Sequence, residues 1–337
     1  MTSKGPSGAP PLRGLALSLV ALLLVLTSIL PVQARPVLDR VRAQGLIRCG
    51  GAPRPGLLGA SPEGRPEGML LDLCRAVGAA VLGPGGKIAF TAHQGDLSYD
   101  AIRQGDEDVS FVSGTEIIGE KLAGAVLPGP PIFYETTAVM VPQASPVRSL
   151  ADLAGRPICF EQGGNAHRHL EAWFEAHRLS FQRMGYQEVE EMRDAYNAQA
   201  CVALAGETTA LAEAMLDRGA KGIESRIIGE PLAAFPIMAA SPVKDGEWAA
   251  IIAWTVATLI RAEAPRLDWA AGGLDAIPVD APEIGLDKGW QKRVIEATGS
   301  YADIFRRNLG AASRYRLPRG LNAPLSEGGM LVVPYLE

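Results

Sequence analysis

Beyond residue 34, short apolar runs alternate with longer segments whose apolar positions recur every three or four residues. Residues 37–43 predict a short helix with a polar face, and 46–49 a strand ended by Gly50. Segment 52–66 is rich in Gly and Pro and reads as a long loop. Residues 69–82 carry Leu71, Cys74, Val77 and Ala80-Val81 at helical spacing. A strand at 87–91, a helix at 99–104 and a strand at 109–112 follow. This strand–helix alternation predicts an α/β layer with a mainly parallel sheet.

A second pattern of the same kind begins near residue 140. It comprises an apolar extended run at 136–142, a short helix at 149–155 and a strand at 157–160. A helix at 166–177 and a strand at 182–186 come next. Then come a helix at 188–198, a strand at 202–205, a helix at 208–217 and a strand at 223–228. Two α/β units of similar size predict two lobes. Residues 247–264 read as a strongly apolar packing helix bearing Trp248, Ile251, Ile252, Trp254 and Leu259. Residues 287–307 are helical in pattern, and the end of the chain is punctuated by Gly and Pro.

The first 34 residues stand apart. Lys4 and Arg13 are their only charges, and 17 residues from 14 to 30 are almost free of polar groups. Val32-Gln33-Ala34 then supplies a small-x-small site. This order predicts a cleaved signal peptide at 1–34 and a periplasmic location for the rest. A 17-residue apolar run is short of the roughly 20 residues that an uncleaved anchor helix needs.

Removing that segment changes the charge arithmetic: the remaining 303 residues carry 30 Lys+Arg against 37 Asp+Glu. An acidic chain without basic clusters argues against a nucleic-acid partner. An apolar content of 47% is too high for disorder.

The four cysteines, Cys49, Cys74, Cys159 and Cys201, allow three pairings. An oxidising compartment permits disulfides, and the sequence-local pairing is Cys49–Cys74 with Cys159–Cys201. Buried free thiols are the alternative. No CxxC is present, so disulfide-exchange chemistry is not expected, and the spacings lack the close pairs of a four-cysteine zinc site. His167 and His169, two residues apart on a helix, do not face a common point. No metal, cofactor or catalytic residue is expected.

Several segments carry a resemblance. They are Leu46-Ile47-Arg48-Cys49-Gly50, Leu73-Cys74-Arg75-Ala76-Val77, Ala101-Ile102-Arg103-Gln104-Gly105-Asp106 and Gly155-Arg156-Pro157-Ile158-Cys159. Tyr196-Asn197-Ala198, Tyr301-Ala302-Asp303-Ile304-Phe305, Arg307-Asn308-Leu309-Gly310 and Arg319-Gly320-Leu321-Asn322 add to them. Over nearly all of residues 37–330 the chain resembles periplasmic solute-binding proteins of family 3, in the general L-amino-acid branch that serves ABC importers. The resemblance implies a type II periplasmic binding protein, two α/β lobes joined by a two-strand hinge. Lobe one would comprise 35–136 and 238–337, and lobe two 137–237. It implies the two sequence-local disulfides, a small polar solute as ligand, and the membrane permease subunits of an importer as partners.

A free amino acid presents a carboxylate and an ammonium, and neither is buried cheaply without a partner. The family pattern supplies a Thr-x-Thr-x-x-Arg run for the carboxylate. Here the run reads Thr115-Glu116-Ile117-Ile118-Gly119-Glu120, so Thr115 is kept and the arginine position holds Glu120. A second arginine position falls at Val112, and Lys121, Arg54 and Arg65 are the nearby substitutes. In lobe two, Glu161-Gln162-Gly163-Gly164-Asn165 matches a turn before a helix. Asn165 is expected as the N-cap, with the Gly163 and Gly164 amides converging on an anion. Glu207 falls where the family has an ammonium-binding Asp. Two acids and little fixed positive charge predict a cationic or neutral solute, or a receptor that binds nothing tightly. Two other functions fit the same fold: a ligand-sensing module for a membrane signalling protein, and a small dehydratase.

Overall fold

Buried positions in the first elements follow the apolar spacing. Helix α1 (Pro36–Gln44) buries Val37, Leu38 and Val41 and starts on Pro36, whose fixed φ suits a first helical position. Strand β1 (Leu46–Gly51) turns Ile47 and Cys49 into the core. A small ribbon, β2 (Gly59–Ala60) with β3 (Pro66–Glu67), leads to α2 (Met69–Leu82). This helix is buried on every side except at Arg75 and Leu82, which explains its nearly continuous apolar sequence. Strand β4 (Lys87–Ala92), helix α3 (Leu97–Gln104) and strand β5 (Val109–Ser113) complete the unit. In it β1 pairs in parallel with both β4 and β5.

In this computed structural model the described residues are Met1, 36–61, 64–93, 97–114, 126–216, 222–229, 231–263 and 281–332. The expected signal segment, Met1 apart, and the candidate residues Thr115 and Glu120 lie outside them, as does Lys121.

Strand β6 (Val126–Leu127) precedes the long β7 (Pro131–Pro142). The second unit follows as β8 (Pro157–Glu161), α4 (Asn165–Ala176), β9 (Gln182–Tyr186), α5 (Val189–Asn197), β10 (Ala203–Glu207), α6 (Thr208–Leu216) and β11 (Ser225–Ile227). Strand β12 (Ala233–Pro242) then returns beside β7, and α7 (Gly246–Arg261), α8 (Trp290–Thr298) and α9 (Tyr301–Asn308) close the chain. The strand order is β4-β1-β5-β12-β7-β10-β8-β9.

The outer thirds of this path are parallel, as expected. Its centre is antiparallel, because β12 pairs with β5 and β7, and β7 pairs with β10. The parallel reading missed this because β12 went unrecognised. Its sequence is Ala-rich, with prolines at 236 and 242, a poor strand signature. The expected helix at 287–307 is two helices, broken at Gly299 (φ 73°) and restarted by a Ser300–Asp303 capping box.

Separate cores in the two halves make the fold bilobed. One gathers Ile47, Leu73, Val109, Phe133, Trp248 and Trp290 from both ends of the chain. The others lie within 138–228, around Val139, Leu170 and Phe174 on one face and Met140, Tyr196 and Leu211 on the opposite face. Each half carries one disulfide. Cys49–Cys74 joins β1 to α2 with Cα atoms 6.2 Å apart. Cys159–Cys201 ties β8 to the turn before β10 at 5.7 Å.

The chain's last segment returns to the hinge. Asn322 donates to the carbonyl of Tyr134 (3.0 Å) and accepts from its N–H (2.7 Å), as a neighbouring strand would. The buried Tyr301 hydroxyl donates to the carbonyl of Ile132 (3.0 Å).

Candidate functional site

Along β7, alternate side chains point to opposite faces. Glu135 and Thr137 share a face with Val139 and Val141, which pack against α4. The pairing of β7 with β12 puts Phe235 opposite Glu135, and its pairing with β10 puts Glu207 opposite Thr137. One face of the hinge strands therefore presents Glu135, Thr137, Phe235 and Glu207 together, at the junction of the halves.

Glu207 sits at the end of β10 and is reached from both halves. Asn165 Nδ2 of α4 donates to its Oε1 at 3.2 Å. Arg54 Nη1, from the loop after β1, donates to its Oε2 in an ion pair. The two side chains are only 18% and 22% exposed, so the pair is largely withdrawn from solvent.

Arg54 is held by its own loop. Its N–H donates to the carbonyl of Leu58 (3.0 Å), and its carbonyl accepts from the N–H groups of Leu57 (3.0 Å) and Leu58 (2.9 Å). Leu57 and Leu58 are buried in the core of that half. Gly56 lets the turn close at φ 73°, lying so near Leu309 that a β-carbon would stand 2.3 Å from its Cδ2. The guanidinium also lies 6.0 Å from the ring centre of Phe235, within cation–π range.

Glu135 is fully buried. It accepts from the Thr209 hydroxyl (2.6 Å), the Thr209 N–H (3.4 Å) and the Thr136 N–H (3.0 Å). Burial pushes its carboxyl up to about 7; the Thr209 hydrogen bond opposes this, the charge of Glu207 adds to it, and Arg54 draws it back. Thr137 Oγ1 lies 2.9 Å from His169 Nδ1. Partial burial first, then the neighbouring Arg168, lower the pKa of His169, which favours its neutral form.

The turn at 163–165 departs from expectation. The N-cap of α4 is Gly164, and Asn165 is the first helical residue, making no cap bond. Its side chain is drawn instead to Glu207, while its Oδ1 accepts from Arg168. The Gly163 N–H donates to His167 Nδ1 (3.1 Å) and the Gly164 N–H to the carbonyl of Glu161 (3.4 Å). Both amides are thus engaged within the turn.

Of the predicted residues, the structure brings Asn165 and Glu207 into contact and leaves Gly163 and Gly164 beside them. The expectation of acids without fixed positive charge does not hold at Glu207, whose partner Arg54 comes from a loop where arginines are ordinarily solvated. Glu135 and Thr137 were not singled out. Their signal was a charged residue inside an otherwise apolar strand.

Space beside the hinge reaches Glu135 and Thr209 of this region. A cavity of about 860 Å³ is lined by Tyr134, Thr136, Thr208, Arg226, Tyr315 and Arg319, among others, and its lining excludes Arg54, Asn165 and Glu207. At the cluster itself, the space between the halves is bridged by the side chains that bond one another. Among the described residues no group of three His, Cys, Asp or Glu is placed to hold a metal.

No family model matches the chain. It is 28% identical over 315 residues to the general L-amino acid-binding periplasmic protein AapJ of Rhizobium johnstonii, covering 88% of this chain and 92% of the relative. Identity to the glutamate/glutamine/aspartate/asparagine-binding protein BztA of Rhodobacter capsulatus is also 28%, with the same coverage. A solved structure, an ABC transporter/periplasmic binding protein from Brucella ovis with glutathione bound, superposes with a TM-score of 0.71 at 25% identity. It covers 87% of this chain and 97% of that one. A bilobed sheet crossed by two antiparallel hinge strands and one disulfide in each half accompany this similarity, and over most of its length the chain is similar to periplasmic amino-acid-binding proteins.

Proposed function

We propose that the protein is the substrate-binding component of an ABC importer for amino acids or related small polar solutes, exported by a signal peptide at 1–34. It acts by binding, not by turnover. Lobe one, 35–136 with 238–337, and lobe two, 137–237, close on the solute, and the closed form delivers it to the permease subunits. The observation that carries this reading is the Arg54–Glu207–Asn165 cluster, which spans the two halves on the cleft face of the hinge strands. An ammonium is taken by Glu207 and Asn165, and Gly163 and Gly164 border the site. From the family pattern alone, Thr115 and Glu120, the latter in place of the expected arginine, are also proposed as ligand residues. The names of the relatives support an amino-acid ligand, and the glutathione in the Brucella ovis structure extends the class to small peptides.

The test is a thermal-shift screen of the mature protein against amino acids, polyamines, glutathione, other short peptides and organic acids, followed by calorimetric titration. A compound carrying an α-amino group is expected to raise the midpoint by several degrees. A screen in which only organic acids or polyamines do so would overturn the reading.

A further inference from the structure

We propose that the cavity beside the hinge is a second ligand site, which takes a small molecule with one anionic head and an apolar body the size of a fused-ring aromatic. The inference goes beyond the importer reading and does not depend on it.

The cavity is distinct from the Arg54–Glu207–Asn165 cluster, none of whose members lines it. Tyr134, Thr136 and Ala138 of β7 do, and alternation along the strand puts them on the face opposite Thr137. The other walls come from both halves. Met215 of α6 and Ile227 of β11 pack against a core of the middle of the chain, and Tyr315 and Leu317 against the core of the first half. An occupant therefore touches both halves. A volume of about 860 Å³ lies within the ordinary range of small-molecule sites.

Charge and hydrogen bonding set the class of occupant. Three arginines line the space. Arg319 is matched by Glu263 in two contacts of 2.7 and 3.1 Å. Arg226 has no acid as partner among the described residues. Its Nη2 donates to the carbonyls of Ser145 and Val147, which leaves Nε and Nη1 as donors. Arg316 is held through its backbone N–H by Ser313 Oγ (3.3 Å), and among the described residues its guanidinium has no partner. The Thr136 and Thr208 hydroxyls lie 2.6 Å apart. Only one proton sits between them, so the other is left to donate. Two acids oppose these groups. Glu327 is exposed. Glu135 already accepts from Thr136 and Thr209, and burial raises its carboxyl to about 7. The surplus is of donors and positive charge between apolar and aromatic walls. An anionic head meets charge-assisted hydrogen bonds there, and the walls take its apolar body out of water. A cationic head would face unpaired guanidiniums.

The experiment uses naphthalene-2-sulfonate as the probe and the neutral naphthalene-2-sulfonamide as its control. Titration calorimetry is run on the wild-type protein, Arg226→Met, Arg316→Ala and Met215→Trp, and hydrogen exchange read by mass spectrometry locates the probe. The wild type is expected to prefer the sulfonate by roughly 10-fold or more. In Arg226→Met and Arg316→Ala that preference falls by about threefold or more, chiefly through weaker binding of the sulfonate. Met215→Trp, which fills the space, weakens both compounds by roughly 10-fold. Exchange slows within 133–138, 225–228 and 315–322, and is unchanged within 52–58 and 203–207. Circular dichroism melts establish that each variant is folded, and Arg316→Ala, at an exposed position, carries the test if Arg226→Met is not. Equal binding of the two compounds, or a preference that the arginine variants leave intact, overturns the anionic class. Slowed exchange around Arg54 and Glu207 in place of the hinge segments overturns the second site, as does a lack of binding up to about 5 mM probe. Each of these failures leaves the importer reading standing, because the amino-acid screen tests that reading separately.

Discussion

Substitution of Glu135 by Gln tests whether the hinge holds a carboxyl that ionises late. Glu135 is fully buried on β7, and burial moves its titration from the ordinary 4.5 to about 7. A folded-state value above the unfolded one means that the native protein binds the proton more tightly. Its contribution to stability is complete below pH 4.5 and is lost as the pH rises towards 7. Each pH unit of displacement corresponds to about 1.4 kcal/mol, so roughly 3 kcal/mol is lost across that window. Gln has the shape of the protonated acid and keeps acceptors for the N–H groups of Thr136 and Thr209, but carries no charge to bury. The variant is therefore expected to match the wild type at pH 4 and to exceed it by up to about 3 kcal/mol at pH 8.5. The assay is urea unfolding of both proteins with disulfides intact, at pH 4, 5.5, 7 and 8.5. Comparing the two proteins cancels the titrations of groups that do not interact with Glu135. A stability difference that stays constant within about 0.5 kcal/mol across this range would refute the late ionisation of Glu135.

Two further outcomes follow from packing and connectivity. Gly50→Ala places a β-carbon 1.9 Å from Oε1 of the buried Glu107, whose carboxylate is engaged by Ser110 and His93. A loss of about 1–3 kcal/mol is expected in denaturant unfolding. The loss should be non-additive with Glu107→Ala, and strict additivity would contradict the contact. Replacing Cys159 and Cys201 by Ala opens a link across 42 residues, worth about 4 kcal/mol by loop entropy, and the same change at Cys49 and Cys74 opens one across 25, worth about 3.5 kcal/mol. Equal or reversed losses in urea unfolding would show that local packing outweighs loop length.

Elements with a strong local signal were legible in the sequence. The spacing in α2 and the βα alternation both survived into the structure, and so did the sequence-local disulfides. What local pattern did not show was pairing at a distance. Strand β12 draws its stability from β5 and β7 on its two sides, so an Ala-rich run with prolines serves there despite poor propensity. The same limit applied to the site. Glu207 was placed by family pattern. Its partner Arg54 is 153 residues away, in a Gly- and Pro-rich segment whose arginines carry no local sign of being buried. Asn165 looked like a cap because it precedes a helical run. The competing acceptor on Glu207, 42 residues on, takes its side chain instead.

The hinge itself is defined by which half holds each neighbouring residue. Both backbone groups of Tyr134 are bonded by Asn322, from the segment that packs with the first core. The next residue, Glu135, is bonded by Thr209 at the start of α6 in the middle of the chain. Consecutive residues are thus fastened to opposite halves, and a change in the angle between the halves concentrates in the backbone dihedrals there. On the facing strand, the register of β12 against β7 shifts between Ile237 and Met238, close to the same level, where a local irregularity already relaxes the ladder. The Arg54–Glu207 pair links the same two halves, with Arg54 in a loop packed on the first core and Glu207 at the end of β10. Glu135 senses the charges of both members, so the buried acid at the joint and the pair that links the halves are parts of one electrostatic system.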